Sequence, residues 1–247
     1  MEENDIYGGR EMVSEHFSQV DAQIHRDAIV DLMRGLQSFQ SFPPDEAACM
    51  AYLANWLQGH GLQAELIDVS DEPGRPDLVC RLQGSGGGRT LMFNGHLDID
   101  PVPMNYPGDP WKCYEETGRL YGHGLANMKA GIAAMSAATV AILRAGAPVR
   151  GDVLLTAVVG ELQGGVGAVD LVERGIFGDC AIIGEPTSLL IETQHASAIE
   201  FLIHTLGSSE WVGALHSHKA VNAVEKLGTV IDELKDIRFE GSRRAEG

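Results

Sequence analysis

Three apolar runs of the chain each end in a glycine followed by a histidine or a glutamate, at Gly95-His96, Gly160-Glu161 and Gly184-Glu185. An imidazole and two carboxylates are groups that bind Zn²⁺ and that also move protons in acid-base catalysis. Each run taken alone is more typical of a strand that ends in solvent. Brought to one edge of a sheet, however, the three side chains would form a site for metal or acid-base chemistry.

The first of these strand ends carries two further acids, Asp98 and Asp100, directly after His96. Residues 91–93 predict the end of a buried strand, and we expect Gly95 to let the backbone turn just past it. An acid two residues after a histidine suits a metal-bound imidazole whose ring is held by a carboxylate. A solvated acidic turn is the alternative interpretation of the same residues.

The apolar pattern between these points predicts an α/β domain. Helical spacing predicts helices over residues 19–39, 45–60 and 126–145, the last rich in small side chains. The strands are predicted at residues 62–69, 78–82, 90–94, 152–159 and 180–183, with a turn over residues 71–76, and the last two strands are expected to be buried. Because helices alternate with strands, we expect a mostly parallel sheet with helices on both faces.

Composition restricts the class of partner. The 247 residues include 35 acidic and 18 basic side chains, and the resulting net charge of -17 argues against nucleic acid or an anionic membrane as partner. The cysteines are far apart and form no CxxC pair, which is typical of reduced thiols in a cytoplasmic protein. Residues 1–20 do not resemble a secretion signal, and no segment offers about 18 uninterrupted apolar residues, so we expect no membrane span.

Five motifs resemble those of peptidase family M20 in order and spacing: Asn94-Gly-His-Leu-Asp98, Gly118-Arg-Leu-Tyr-Gly-His-Gly124, Asn127-Met-Lys-Ala-Gly131, Glu161-Leu-Gln-Gly-Gly165 and Gly184-Glu-Pro-Thr187. That family contains acetylornithine and succinyl-diaminopimelate deacylases, aminoacylases and glutamate-releasing carboxypeptidases. The resemblance implies a zinc-peptidase-like α/β domain that holds two zinc ions. It also implies a smaller α+β lid that makes a dimer.

The resemblance implies a role for each matching residue of the site. His96 and Glu185 match ligands of the first zinc ion, and Asp98 matches the acid that orients the histidine. Glu161 matches the general base. Asn127 stands where the family has the aspartate that bridges both metal ions, and a neutral amide is a poor bridging ligand.

The second zinc site departs further from the family pattern. Leu162 stands where an acid should bind the second ion, and it offers no donor atom. The first site keeps two strong ligands, one fewer than catalytic zinc usually has. We therefore expect one weakly bound Zn²⁺ ion at most, unless Asp98, Asp100, His123 or a partner chain completes the coordination sphere.

The lid matches the family only in part. Residues 198–205 match its first strand, and Asn222 begins its helix. The family's lid histidine has no clear counterpart among the residues near its position, which are Trp211, Gly213, His216 and His218. We expect a catalytic α/β domain over residues 1–193 that lacks its C-terminal return, and a partial lid over residues 194–247.

Two functions of different class follow. The first is a metallo-hydrolase of amide bonds in N-acyl amino acids or small peptides, and the retained His96, Asp98, Glu161 and Glu185 favour it. The second is a non-catalytic homologue, either a truncated remnant or a partner subunit that supports a full-length relative, and Asn127, Leu162 and the missing C-terminal part favour it. For this chain acting alone the lost ligands favour an impaired enzyme.

Overall fold

The computed structural model describes residues 15–194, 201–208, 221–235 and 237. The chain divides into two compact units, Met1–Ile191 and Glu192–Gly247. Each unit is described by itself below.

The first unit is built on one five-stranded sheet. The strands of the chain are β1 (Ala64–Val69), β2 (Glu72–Leu82), β3 (Leu91–His96), β4 (Tyr114–Glu116), β5 (Arg119–Tyr121), β6 (Val153–Val158) and β7 (Cys180–Ile183). The sheet has the order β1-β2-β6-β3-β7, and β4 and β5 form a separate hairpin. β3 pairs in parallel with β6 and β7, whereas β2 pairs antiparallel with β1 and β6. The α/β class is therefore confirmed, and the sheet is mixed rather than mostly parallel.

β2 begins six residues before the sequence pattern predicts, and it includes most of the expected turn at residues 71–76. Its pairing with β6 starts only at Leu78, and its register with β1 shifts, because Pro76 pairs with Asp68 whereas Glu72 pairs with Val69. A proline without a backbone N–H is tolerated where one side of a strand needs no donor. The turn-forming residues therefore mark an irregularity within β2 at residues 73–75, where Gly74 has a φ of 85°.

β7 is the edge strand of the described sheet, and all four of its residues are exposed, including Ile182 and Ile183 at about half of their surface. The prediction of a buried strand is therefore wrong for β7. Its apolar sequence suits a central strand, but sequence alone does not say which strand lies at the edge. The unbroken run of β6, in contrast, is buried at every position, as predicted.

The helices of the first unit pack on this sheet. They are α1 (Arg26–Gln37), α2 (Ala47–Gly59), α3 (Ala130–Ala145) and α4 (Val166–Glu173). The helix predicted over residues 19–39 is divided, because residues 24 and 25 are not helical and His25 precedes α1 with an extended backbone. Side chains of α1 and α2 such as Leu36, Met50 and Leu53 are completely buried in one core with β2, β3 and β6.

The long helix predicted over residues 126–145 is not continuous. A π-helical turn, Leu125–Lys129, precedes α3, and Asn127 and Met128 within it have non-helical backbone angles. Leu125–Ala145 together are long and apolar enough to cross a membrane by length and composition, with a mean hydropathy of 1.3, but 56% of that stretch is buried inside the fold. Because α3 contacts β3 and β6, it serves as a core helix.

The second unit contains α5 (Ala223–Lys235), which confirms the helix predicted after Asn222. The Asn222 side chain accepts a hydrogen bond from the backbone N–H of Val224 at 2.9 Å and so caps the helix. Residues 201–205 form no strand, and the remainder of the predicted lid strand lies outside the described residues. The same holds for the positions discussed for a lid histidine, Trp211, Gly213, His216 and His218.

We predict that Gly131→Ala destabilises the first unit. Alanine normally stabilises a helix by about 1 kcal/mol relative to glycine, but a Cβ at position 131 would lie 2.2 Å from the carbonyl oxygen of Gly184. We expect the free energy of unfolding, measured in urea, to fall by about 1–3 kcal/mol. Gly59→Ala in α2, where a Cβ meets nothing within 4 Å, is the matched control and should not destabilise. Equal effects of the two changes would refute the close packing of α3 on the end of β7.

Candidate metal centre

Three strand ends of the first unit meet at one point. His96 is the last residue of β3, and Glu161 and Glu185 follow the neighbouring strands β6 and β7. The His96 Nε2 atom lies 3.5 Å from Glu185 Oε1 and 3.9 Å from Glu161 Oε2. The prediction that these strands are neighbours with their carboxyl ends at one edge is confirmed.

Asn127 brings a fourth polar group to the same nitrogen. Its Oδ1 atom lies 3.0 Å from His96 Nε2. Three oxygen atoms, from two carboxylates and one amide, therefore surround Nε2 of a buried imidazole. Asn127 reaches this position from the π-helical turn before α3 rather than from a strand end.

The glycine at position 95 leaves room for the side chains of this turn and of α3 to pack on β3. A Cβ there would lie 2.4 Å from Cε of Met128, and the His96 N–H points to the Met128 sulfur at 3.3 Å. Gly95 lies inside β3 and not in a turn, so the role predicted for it is wrong. Its missing side chain instead lets the π-helical turn approach the strand and bring Asn127 to His96.

Lys129, at the end of the π-helical turn, is completely buried. Its ammonium group donates to the carbonyl oxygens of Leu36 and Phe39, both at 2.9 Å. A lysine is favourable at the C-terminal end of a helix, where carbonyl groups lack partners and the helix dipole is negative. Burial lowers the pKa of Lys129. The side chain joins the Asn127 turn to the end of α1, a contact that the sequence does not indicate.

Asp98 lies on the opposite side of the His96 ring from the other oxygens. Nδ1 of His96 lies 2.9 Å from the Asp98 backbone carbonyl and 3.4 Å from Asp98 Oδ1. The carboxylate also accepts hydrogen bonds from the backbone N–H groups of Glu161 and Leu162, at 3.2 and 3.0 Å. With both oxygens used, Asp98 is placed to orient the ring and to hold the turn that carries Glu161.

The charges of this cluster depend on one another. Burial lowers the pKa of His96, but the hydrogen bond and charge of Asp98 and the charges of Glu185 and Glu161 outweigh it and raise that pKa to about 9. Burial raises the pKa of Asp98, but its bonds from His96 and from the two backbone amides lower it overall. Crowded acids favour a raised carboxyl pKa. The pKa of Asp98 is lowered instead, because hydrogen-bond donors compensate the charge of its carboxylate.

The donor set fits one divalent cation. One potential metal-ligand atom from each of His96, Asp98 and Glu161 lies within 4.8 Å of the other two. Glu185 and Asn127 face Nε2 of His96. Imidazole nitrogen and carboxylate oxygen are ligands that Zn²⁺ accepts, whereas an amide oxygen is weaker. Because a bound metal ion needs the lone pair of Nε2, its binding would displace the proton there.

The residues expected to complete the coordination sphere of the metal ion do not all face Nε2 of His96. Nε2 of His123 lies 2.7 Å from the backbone carbonyl of Asp100, so this nitrogen is used within the neighbouring loop. Leu162 contributes its backbone N–H to Asp98, and its side chain offers no ligand. In the part of the chain that the structure describes, the groups that face Nε2 of His96 are therefore Asn127, Glu161 and Glu185.

Comparison with known proteins gives similarity across both units. The sequence profile of Peptidase family M20/M25/M40 matches residues 92–241. The N-formyl-4-amino-5-aminomethyl-2-methylpyrimidine deformylase of Bacillus subtilis is 29% identical over 183 residues, which are 71% of this chain and 42% of that protein. The succinyl-diaminopimelate desuccinylase of Gluconobacter oxydans is 32% identical over 218 residues, 83% of this chain and 55% of that protein.

A tripeptidase from Staphylococcus aureus has the same fold, with a TM-score of 0.59 at 18% identity over 85% of this chain and 57% of that one. This chain spans about half the length of the relatives that it matches. The family profile nevertheless covers more than half of the 247 residues and includes His96 and the three groups that face its Nε2 atom. The chain therefore belongs to peptidase family M20/M25/M40.

Proposed function

We propose that the protein hydrolyses amide bonds in N-acyl amino acids or small peptides with the help of one Zn²⁺ ion. The observation that carries this proposal is the convergence of Asn127, Glu161 and Glu185 on Nε2 of His96. Relatives named as a deformylase, a desuccinylase and a tripeptidase support the class of reaction. The ligands are His96 and Glu185, with a weak contribution from Asn127.

When bound, the metal ion supplies a more acidic water and polarises the amide carbonyl. The Glu161 carboxylate would accept a proton from the attacking water and donate it to the leaving nitrogen. Its side chain suits this role because it is half exposed to solvent while lying 3.9 Å from His96 Nε2. Asp98 keeps the proton of the imidazole on Nδ1, which leaves the lone pair of Nε2 for the metal ion.

A second candidate function is that of a non-catalytic subunit. It is favoured by the amide at position 127 and the leucine at position 162, which stand where the family has acidic ligands. Such a chain would support a full-length relative instead of acting alone. Zinc content and hydrolysis by the isolated chain separate the two functions.

For both the hydrolase and the non-catalytic subunit, we propose that the second unit pairs with another copy of the chain or with a full-length relative. Exposed apolar side chains support this pairing, among them Leu202, Leu206 and Val224. The net charge of -17 and the free thiols of the cysteines support a cytoplasmic protein without a nucleic acid or membrane partner.

We predict that the purified chain binds about one equivalent of Zn²⁺, measured by atomic emission and by titration calorimetry, and that His96→Ala removes this binding. Among the described residues, His96 supplies the imidazole of the site. His60→Ala is the matched control. His60 follows α2, and its Nδ1 atom forms a hydrogen bond with the Trp56 carbonyl rather than with a group of the site. Unchanged zinc binding in His96→Ala would contradict the assignment, and absence of zinc from the wild type would favour the non-catalytic subunit.

Glu161→Gln should retain zinc but lower the rate of hydrolysis of an N-succinyl or N-formyl amino acid by about 10²–10⁴-fold. The amide side chain has a similar size but does not accept the proton of water. The comparison with Glu173→Gln, a change on α4, tests whether any loss of a negative charge has this effect. A Glu161→Gln variant with wild-type activity would exclude the residue as general base.

Asn127→Asp should strengthen zinc binding by about tenfold or more, because a carboxylate is a better ligand than an amide. The side chain already lies 3.0 Å from His96 Nε2, so the change needs little rearrangement. Competition with a chromophoric chelator measures the affinity. If zinc affinity is the same in both proteins, Asn127 does not contact the metal ion.

A further inference from the structure

The turn that carries Glu161 is bonded to β2 by a side chain where the strand pairing ends. The last pair of β2 with β6 is Leu78 with Ala157. Asp77, the next residue outward, uses its Oδ1 atom to accept a hydrogen bond from the backbone N–H of Val159 at 2.9 Å. Asp77 is completely buried. Its carboxyl group thus extends the contact between the two strands to a residue two positions before Glu161.

A buried ion pair lies against the next residue of the turn. Arg75 is 5% exposed and binds Glu46 with two nitrogens, Nε to Oε2 at 3.1 Å and Nη2 to Oε1. A Cβ at Gly160 would lie 3.2 Å from Arg75 Nη2, and Gly160 has a left-handed backbone with φ of 66°. Glu46 immediately precedes α2. Arg75 therefore lies between the start of α2, which it binds through Glu46, and the backbone directly before Glu161.

We propose that Asp77, supported by the Arg75–Glu46 pair, is a positioning residue that fixes the direction of the Glu161 side chain; this rests on the proposed role of Glu161 as general base. Asp77 binds the amide of Val159 from one side of the turn, and Asp98 binds the amides of Glu161 and Leu162 from the other. Two buried carboxyl groups, one on β2 and one two residues after β3, thus bind three amides within four residues.

Stability alone does not account for a carboxyl group at position 77. Its Oδ2 atom is buried and has no hydrogen-bond partner among the described residues, and Gly167 packs so closely that a Cβ there would lie 2.3 Å from Oδ1. Burial raises the pKa of Asp77 to about 7, although the bond from Val159 opposes this. An unpaired buried polar atom is unfavourable for folding. A function in the neighbouring turn explains why the carboxyl group is useful there.

Asp77→Asn and Asp77→Leu separate positioning from packing. The asparagine keeps an oxygen for the Val159 amide, whereas the leucine fills a similar space without an acceptor. We expect Asp77→Leu to lower kcat for an N-acyl amino acid by about tenfold or more with little change in KM, because a displaced base loses its alignment with the water. Asp77→Asn should restore kcat to within about threefold of the wild type.

Asp170→Leu is the matched control for the loss of a buried carboxyl group. Asp170 lies on α4 and binds Ser70 and Arg174 rather than the Glu161 turn. NMR of the backbone amides gives a readout that does not depend on activity. The signals of Glu161 and Leu162 should move in Asp77→Leu, and the amide of Val159 should exchange faster, whereas Asp77→Asn and Asp170→Leu should leave all three close to the wild type.

Unmoved amide signals in Asp77→Leu would overturn the inference, and so would an equal loss of kcat in Asp77→Leu and Asp170→Leu. If the wild type hydrolyses no substrate while the amide signals still move in Asp77→Leu alone, the positioning is upheld and the proposed hydrolase function fails. Should Asp77→Leu not fold, Asp77→Ala removes the same acceptor with less added bulk and is judged by the same signals.

Discussion

The buried carboxylate of Asp98 links the segments that follow two neighbouring strands, β3 and β6. The carboxylate lies beside Nδ1 of His96 at the end of β3. It accepts hydrogen bonds from the backbone N–H groups of Glu161 and Leu162, which follow β6. A buried carboxylate is stable only when donors compensate its charge, so these contacts are mutually dependent. They fix the imidazole with Nε2 facing the Glu161 side chain, and any metal chemistry at this edge depends on that alignment.

Further buried charges hold the frame around this edge. Lys129 joins the Asn127 turn to the end of α1, and Arg75 joins β2 to the start of α2 through Glu46. Buried charges add little net stability even when paired, because they must leave water. Their common feature here is location, since Lys129 is two residues from Asn127 and Arg75 lies close to Gly160, the residue before Glu161. We interpret them as contacts that specify the geometry of the site more than they stabilise the fold.

Local features of the sequence predicted the strand ends and the side chains that meet there, because a strand pattern followed by glycine and an acid needs no knowledge of the fold. The failures depend on contacts between distant segments. Gly95 has a packing role that only the position of Met128 explains, and the exposure of β7 depends on which strands are its neighbours. Asp77 and Lys129 gave no signal, because a single charged residue beside apolar ones usually faces solvent, whereas both are buried here.

The most direct test of the account is a crystal structure of the zinc-soaked protein with anomalous diffraction measured at the zinc absorption edge. The account predicts one peak per chain in the first unit, at bonding distance, about 2.0–2.2 Å, from Nε2 of His96 and from a carboxylate oxygen of Glu185. The Glu161 carboxylate should face the open side of the ion. A peak bound elsewhere, or no peak at a zinc concentration that saturates the protein in solution, would contradict it.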